Sequence, residues 1–527
     1  MTLARTVSSL ALLAIFASTT TSAVTPRAPD LELEEVLSKA RAAGGWEALA
    51  ANREGVLLEG AGERLGLTTR HTLLFTPHGK FRETREGRLG SVLAFDGKAG
   101  WAIEWTGLWA PLDPTDLHGD QARIWVSTGC WLSPEIPLEI SLDAARGDDE
   151  HVVLSLLVSG SEEPCHLWLD RTTWLPARLL QSTPIGESTT RFENYRTVLG
   201  IALPHRIETD VKGQEEHWTI ETVQAASRPE EDPFTASPRL PDDTEFDPDM
   251  EARIEAKKTA TGHLLVRPLL EGEEIGWVVL DTGAGSMVID DDVGDELGLP
   301  SFGKVGATGV GGTVMTVFRE AAAIQLGPLT FDGPIYFIEL DLDPLGQAMG
   351  EKLAGICGYD LLSRAVVTID VVTPRISIHD PESYELAGGT WEPLTIMGRI
   401  PCVRARFEGD REGLFRIDTG SANSVDFHGG AVEKFKLLEN RSTTPITLGG
   451  VGGTIRSEMG TLDWFELARH RFEKPTVTFA RAGDGAFTDR LTLGTIGGRF
   501  LAPFTMVLNY PARKVAFVEK AAGESKH

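Results

Sequence analysis

Basic residues, cysteine and long apolar runs are all scarce in this chain. Fifty Lys and Arg face 77 Asp and Glu, a formal net charge of -27 over 527 residues. That balance argues against nucleic acid as a partner, because phosphate binding needs basic surface that such a field opposes. Four cysteines do not make a disulfide scaffold, and their spacing does not resemble a zinc site. Cys130 and Cys165 are the pair that an oxidising compartment would allow to join, with two buried thiols as the equal alternative. No apolar stretch approaches the roughly 18 residues of a membrane-spanning helix. Neither H-E-x-x-H nor G-x-S-x-G in a strand-turn-helix setting is present, which removes the usual metallopeptidase and serine-hydrolase signatures. No metal and no organic cofactor is expected.

What is present begins with the pattern of an export signal, residues 1–23. Arg5 is followed by the apolar Leu10 to Ala17 and by the small residues Thr21-Ser22-Ala23, implying a mature start near Val24 and a periplasmic or secreted protein. No cysteine follows that cut to carry a lipid. Leu31 to Ala51 has helical spacing, with Gly44-Gly45 as a break. From Gly55 to about Val223, short apolar runs separated by Gly, Asp and Pro read as an antiparallel meander. This region holds eight of the twelve tryptophans, Trp101, Trp105 and Trp109 among them, which either fill a core or line an apolar concavity. Ser227 to Asp249 is rich in proline and acid and reads as a linker. The expected units are therefore an N-terminal domain over 24–226, a linker over 227–260, and two further lobes over 261–388 and 389–527.

The two lobes are a duplication. Val266, Arg267, Glu271, Gly272 and a D-T-G at Asp281 recur 137 positions later as Val403, Arg404, Glu408, Gly409 and a D-T-G at Asp418. The loop Gly309-Val310-Gly311-Gly312-Thr313 returns as Gly450-Val451-Gly452-Gly453-Thr454, and the turn at Gly358 returns at Gly497. Each D-T-G follows an apolar strand, Gly276 to Leu280 and Gly413 to Ile417, that delivers a carboxylate into a loop. One such tripeptide is no more than an Asx turn; two in register within a repeat point to a paired site.

With these residues the chain resembles the retropepsin-like aspartic peptidases from near Gly262 to near Glu519, in a fused form with both halves in one polypeptide. The resemblance implies a mainly β fold with two β-barrel lobes about a pseudo-twofold axis, and an endopeptidase acting on peptide or protein substrates. It assigns catalysis to Asp281 and Asp418, cross-axis hydrogen bonds to Thr282 and Thr419, and room for water and substrate to Gly283 and Gly420. Gly355-Ile356-Cys357-Gly358 and Gly494-Thr495-Ile496-Gly497 resemble the elements that brace each D-T-G loop. Gly309, Gly311 and Gly312, with Gly450, Gly452 and Gly453, are flap candidates, ordinary hairpin turns being the alternative. Neither loop carries the tyrosine of the single pepsin flap. Two close carboxyl groups retain one proton between them, so one can accept a proton from water while the other polarises a carbonyl. The halves differ: Ser421 and Arg416 flank Asp418 where Ala284 and Val279 flank Asp281. That favours an ionised Asp418 and a protonated Asp281, unless Arg416 turns away to an exposed acid.

The N-terminal meander, ending in Phe192-Glu193-Asn194-Tyr195 and Leu203-Pro204-His205-Arg206, is similar in pattern to the half-barrel of periplasmic lipoprotein-carrier proteins. It implies a possible apolar ligand there. Two other functions remain open at this point: a catalytically silent peptide-binding relative, and a lipid or lipoprotein carrier with the lobes as accessory.

Overall fold

A computed structural model describes residues 31–227, 231–235, 242–481 and 485–520. The export segment and parts of the acidic linker lie outside the described residues. Strands dominate throughout, and no helix among the described residues is long and apolar enough to cross a membrane.

The N-terminal region is one 13-stranded antiparallel sheet made of two meanders. They join where Val56–Arg64 pairs with Gln214–Ala225. The Leu31–Ala51 stretch forms two helices, α1 (Leu33–Gly44) and α2 (Trp46–Ala51), with Gly45 between them at φ 73°, a conformation that favours glycine. A third helix, α3 (Pro114–Thr128), interrupts what the sequence reads as continuous meander. Its signals are local. The Asp113 side chain accepts from Thr115 N at 2.9 Å as N-cap, and Pro114 occupies the first turn, where its missing N–H costs nothing. Apolar residues of α3, including Ile124 and Trp125, share a core with Leu58, Phe81, Leu154 and Ile220 of the sheet. The helix thus packs on the sheet and fills a core with it, one of the two alternatives left open for this region. Cys130 and Cys165 both lie in this core as free thiols, so they do not pair.

Three short strands stand where linker was expected. Thr244–Phe246 pairs with Leu329–Leu340, Arg253–Ile254 with Arg375–His379, and Ala256–Lys258 with Leu264–Val266. Phe234 is held from the other side, its carbonyl accepting from Trp101 Nε1 at 2.8 Å. Proline and acidic residues suit edge strands, whose outward groups need no ladder partner, and this is why composition alone misread the segment as linker.

The repeats form an 11-stranded and a 10-stranded sheet with matched pairing. In the first, Trp277–Leu280 runs parallel to Leu353–Cys357, which pairs antiparallel with Met287–Asp290. In the second, Arg411–Asp418 runs parallel to Gly494–Gly497, which pairs antiparallel with Val425–Phe427. A six-stranded sheet joins the two, and in it the equivalent strands Val366–Asp370 and Phe504–Asn509 pair antiparallel, Thr368 opposite Val507. One apolar core runs through both repeats, from Leu264 to Phe517.

Candidate active site

Each aspartate sits at the C-terminal end of a strand buried between two neighbours, which fixes where its loop begins. The apolar-glycine turns then hold those loops from below. Asp281 N donates to Cys357 O at 3.0 Å and Tyr359 N to Ala284 O at 2.9 Å; in the other half Gly498 N donates to Ser421 O at 2.7 Å. Gly358 and Gly497 approach the backbone just after each D-T-G so closely that a Cβ would collide with Ser286 O and Ala284 O in one half and with Asn423 O and Ser421 O in the other.

The threonines tie the loops to one another reciprocally. Thr282 Oγ1 donates to Ile417 O at 2.8 Å and accepts from Thr419 N at 3.0 Å. Thr419 Oγ1 donates to Leu280 O at 2.7 Å and accepts from Thr282 N at 3.1 Å. Both threonines are buried. The glycines face across in the same way: a Cβ on Gly283 would lie 2.5–2.8 Å from the Asp418 carboxylate, and one on Gly420 would strike that of Asp281. Only glycine at these two positions lets the carboxyl groups meet.

Both carboxyl groups titrate above the ordinary aspartate range. Asp281 is pushed well above it by burial first and then by the Asp418 charge, against the N–H groups of Gly283 and Ala284. Gly283 N reaches Asp281 Oδ1 at 2.7 Å. Burial raises Asp418 too, but there a hydrogen bond from Asp281, the N–H groups of Gly420 and Ser421, and the Arg416 charge all pull downward. Asp281 is thus held further above that range than Asp418, the direction the sequence suggests, though for partly different reasons. Ser421 offers Asp418 its backbone N–H. Its hydroxyl instead points to Asp426 Oδ2 at 3.4 Å. Arg416 turns to a buried acid, not an exposed one: its Nη2 donates to Asp489 Oδ2 at 2.8 Å and to Pro184 O of the N-terminal sheet at 2.7 Å. The expectation that Ser421 Oγ supports the Asp418 carboxylate is corrected accordingly.

The glycine-rich loops close two long hairpins whose tips touch. Ser301–Gly309 pairs with Gly312–Leu326, and Thr444–Gly450 with Gly453–Thr461. Gly311 N donates to Val451 O at 3.0 Å, and Gly452, at φ 82°, lies so near Gly312 that a Cβ there would overlap its backbone. Gly309 and Gly450 abut the opposing tip valines, Val451 and Val310. Gly453 adopts φ 117°. Val451 packs on the apolar wall formed by Val279, Val288, Ile356 and Ala307.

Several residues here carry no motif. His263 feels the Asp418 charge and the Gly420 backbone, yet burial holds it below the usual histidine range. Arg399 is a larger omission. It donates through Nη1 to Gly285 O at 3.3 Å beside the first D-T-G, and pairs through Nη2 with Glu104 Oε2 at 2.7 Å. Its guanidinium also stacks 4.0 Å from the Trp105 ring centroid. Gly398-Arg399, both at positive φ, form the turn that aims it. A glycine-containing turn between two apolar runs was visible in sequence, but its destination was not. Asp290, Asp291 and Asp341 lie close together as the one acidic group among the described residues with metal-ligand proximity. They belong to the outer part of the first repeat, and nothing else there marks a ligand.

Residues 267–361 match a family model described as aspartyl protease. The match includes Asp281 and Gly358 and ends before Asp418. No curated protein matches the chain. Among solved structures, a LolA superfamily protein from Nitrosomonas europaea matches at 16% identity, TM-score 0.29, over 39% of this chain and 98% of that one. A DUF1329 family protein from Desulfovibrio piger matches at 10% identity, TM-score 0.26, over 36% of this chain and 92% of that one.

Proposed function

We propose that this chain is an aspartic peptidase in which two lobes about a pseudo-twofold axis each supply one catalytic aspartate. The observation that carries the reading is the reciprocal threonine exchange, which brings Asp281 and Asp418 into one site with each carboxylate against the other loop's glycine. The aspartyl protease match over the first repeat supports it. Asp418, ionised, accepts a proton from water as the water oxygen attacks the scissile carbonyl carbon, and Asp281 gives its proton to the carbonyl oxygen. The gem-diol then collapses. The C–N bond breaks, the leaving nitrogen takes the proton from Asp418, and one hydroxyl returns a proton to Asp281. Each carboxyl group ends as it began.

Thr282 and Thr419 hold the pair, Gly283 and Gly420 admit substrate backbone, and Ser421 contributes its N–H. The two hairpins with Gly309, Gly311, Gly312, Gly450, Gly452 and Gly453 act as flaps that exclude water over the cleft. The N-terminal half-barrel, residues 24–226, is a separate unit, and export with cleavage near Val24 belongs to the same reading. Incubating the full-length protein with a diverse peptide library, with and without a statine-type transition-state analogue, tests the activity. New peptide termini that vanish with the analogue are expected; a library left intact contradicts the proposal.

A further inference from the structure

The hairpin turns of the half-barrel that face the lobes are all at one end of its sheet. In the strand order, the turns at Leu65-Gly66, Lys212-Gly213 and Pro184-Ile185 join successive strand pairs, so they lie in a row spaced by roughly 10 Å. The row crosses from the roof of the cleft to its floor. Lys304 N, on the first flap hairpin, donates to Leu65 O at 2.6 Å, and Gly306 N of that hairpin donates to Gln214 Oε1 at 3.0 Å. Lys212 Nζ donates to Gly485 O and to Thr488 Oγ1, both at 3.2 Å, in the segment that touches the flap tip at Val310. Pro184 O accepts from Arg416, two residues before Asp418, and Pro184 packs against Gly398.

The opposite end differs in both roof and floor. The outer strand of the second hairpin, Thr444–Gly450, is an edge strand, and among the described residues none of its backbone N–H groups donates to the half-barrel. The floor of the first repeat is apolar. Val279 and Val288 flank Ile356 in register and pack with Leu342 and Met349. The equivalent positions of the second repeat are Arg416, Asp426 and Thr495, which flank one another in the same register.

We propose that the half-barrel is a wall closing the second-repeat end of the cleft, so that the protein trims peptides close to one terminus. It accepts an apolar side chain at the open end. Arg416 stands roughly 7 Å of strand from Asp418, and its side chain extends the gap to Pro184 to about three extended residues. A substrate chain can therefore pass the dyad by no more than about three residues on the walled side, which narrows the endopeptidase expectation. The trimming part rests on the peptidase reading; the wall does not.

Two measurements on the full-length protein separate these parts. Hydrogen exchange followed by mass spectrometry reads the wall. Amides of 301–309 are expected to exchange more slowly than those of 444–450, and Gln214→Ala to speed the former only; equal rates in the two hairpins overturn the wall. Long linear peptides with one apolar residue moved along the chain, and head-to-tail cyclic versions, read the trimming. Products shortened by up to about three residues from one end, with cyclic peptides resistant, are expected. Interior cuts or cleaved cycles overturn it. No cleavage above the level of Asp281→Asn removes the peptidase reading and the trimming with it, while the exchange asymmetry still decides the wall.

Discussion

Replacing Thr282 by valine keeps the branched shape and removes one hydroxyl, so its cost isolates the link between the two D-T-G loops. That hydroxyl serves two backbone groups of the other repeat, the Ile417 carbonyl at 2.8 Å and the Thr419 N–H at 3.0 Å. Thr282 is 1% exposed, so water cannot replace it in the folded state. A buried polar group left unpaired costs about 1–3 kcal/mol, giving roughly 2–6 kcal/mol for the pair. Burying a methyl in place of the hydroxyl returns about 1 kcal/mol at most. The net loss, about 1–5 kcal/mol, is a sizeable part of the 5–15 kcal/mol typical of a domain. Urea unfolding of the two repeats, read in the full-length chain, measures it, with Thr282→Ser as the control that keeps the hydroxyl. If Thr282→Val falls within about 0.5 kcal/mol of the serine variant, the threonine exchange does not hold the loops and the argument built on it fails.

Three other outcomes follow from named contacts. Asp281 binds its proton more tightly folded than unfolded, so the fold loses stability as pH rises from the ordinary aspartate range toward the folded-state pKa. Asp281→Asn should thus raise Tm at pH 7 and lose that advantage near pH 4, and an equal gain at both pH values contradicts the protonation assigned. Ser421→Ala should leave the acidic limb of the kcat/KM profile in place, because Asp418 takes the Ser421 N–H and the hydroxyl is turned to Asp426; an upward move of that limb means that the hydroxyl reaches Asp418. In the half-barrel, Glu83 is 2% exposed and is held well below the carboxylate range by Arg123, Arg85 and His71 against the burial that opposes them. Arg123 grips both its oxygens, at 3.0 and 2.8 Å. Arg123→Ala should cost about 3–5 kcal/mol of half-barrel stability by urea unfolding, since it removes the cation that grips both oxygens of a buried carboxylate and leaves only Arg85 and His71 beside it, and a loss below about 1 kcal/mol would show the network to be dispensable.

The paired aspartates were legible because the repeat keeps its spacing: a 137-residue offset shared by Val266, Glu271 and Asp281 is a pattern that turns alone do not produce. The strand-rich character and the break at Gly45 were legible for local reasons. What escaped depends on partners far along the chain. Arg416 stands two residues before Asp418, and alternation puts it on that side, but only the fold brings Asp489 and Pro184 to its guanidinium. Ser421 likewise chooses between Asp418 and Asp426 by a loop rotation that no spacing encodes. α3 was hidden by Gly119 and by a flanking meander, although Asp113-Pro114 signalled its start. The strands at 244–258 were hidden by a composition that suits edges and linkers equally.

The central claim is that Asp281 and Asp418 act as one unit, and hydrolysis by the two single asparagine variants tests it most directly. With a peptide cleaved by the wild-type chain, Asp281→Asn and Asp418→Asn should each fall to near background, with unfolding midpoints no lower than wild type to show that the site and not the fold was lost. Either variant retaining wild-type turnover would contradict the account.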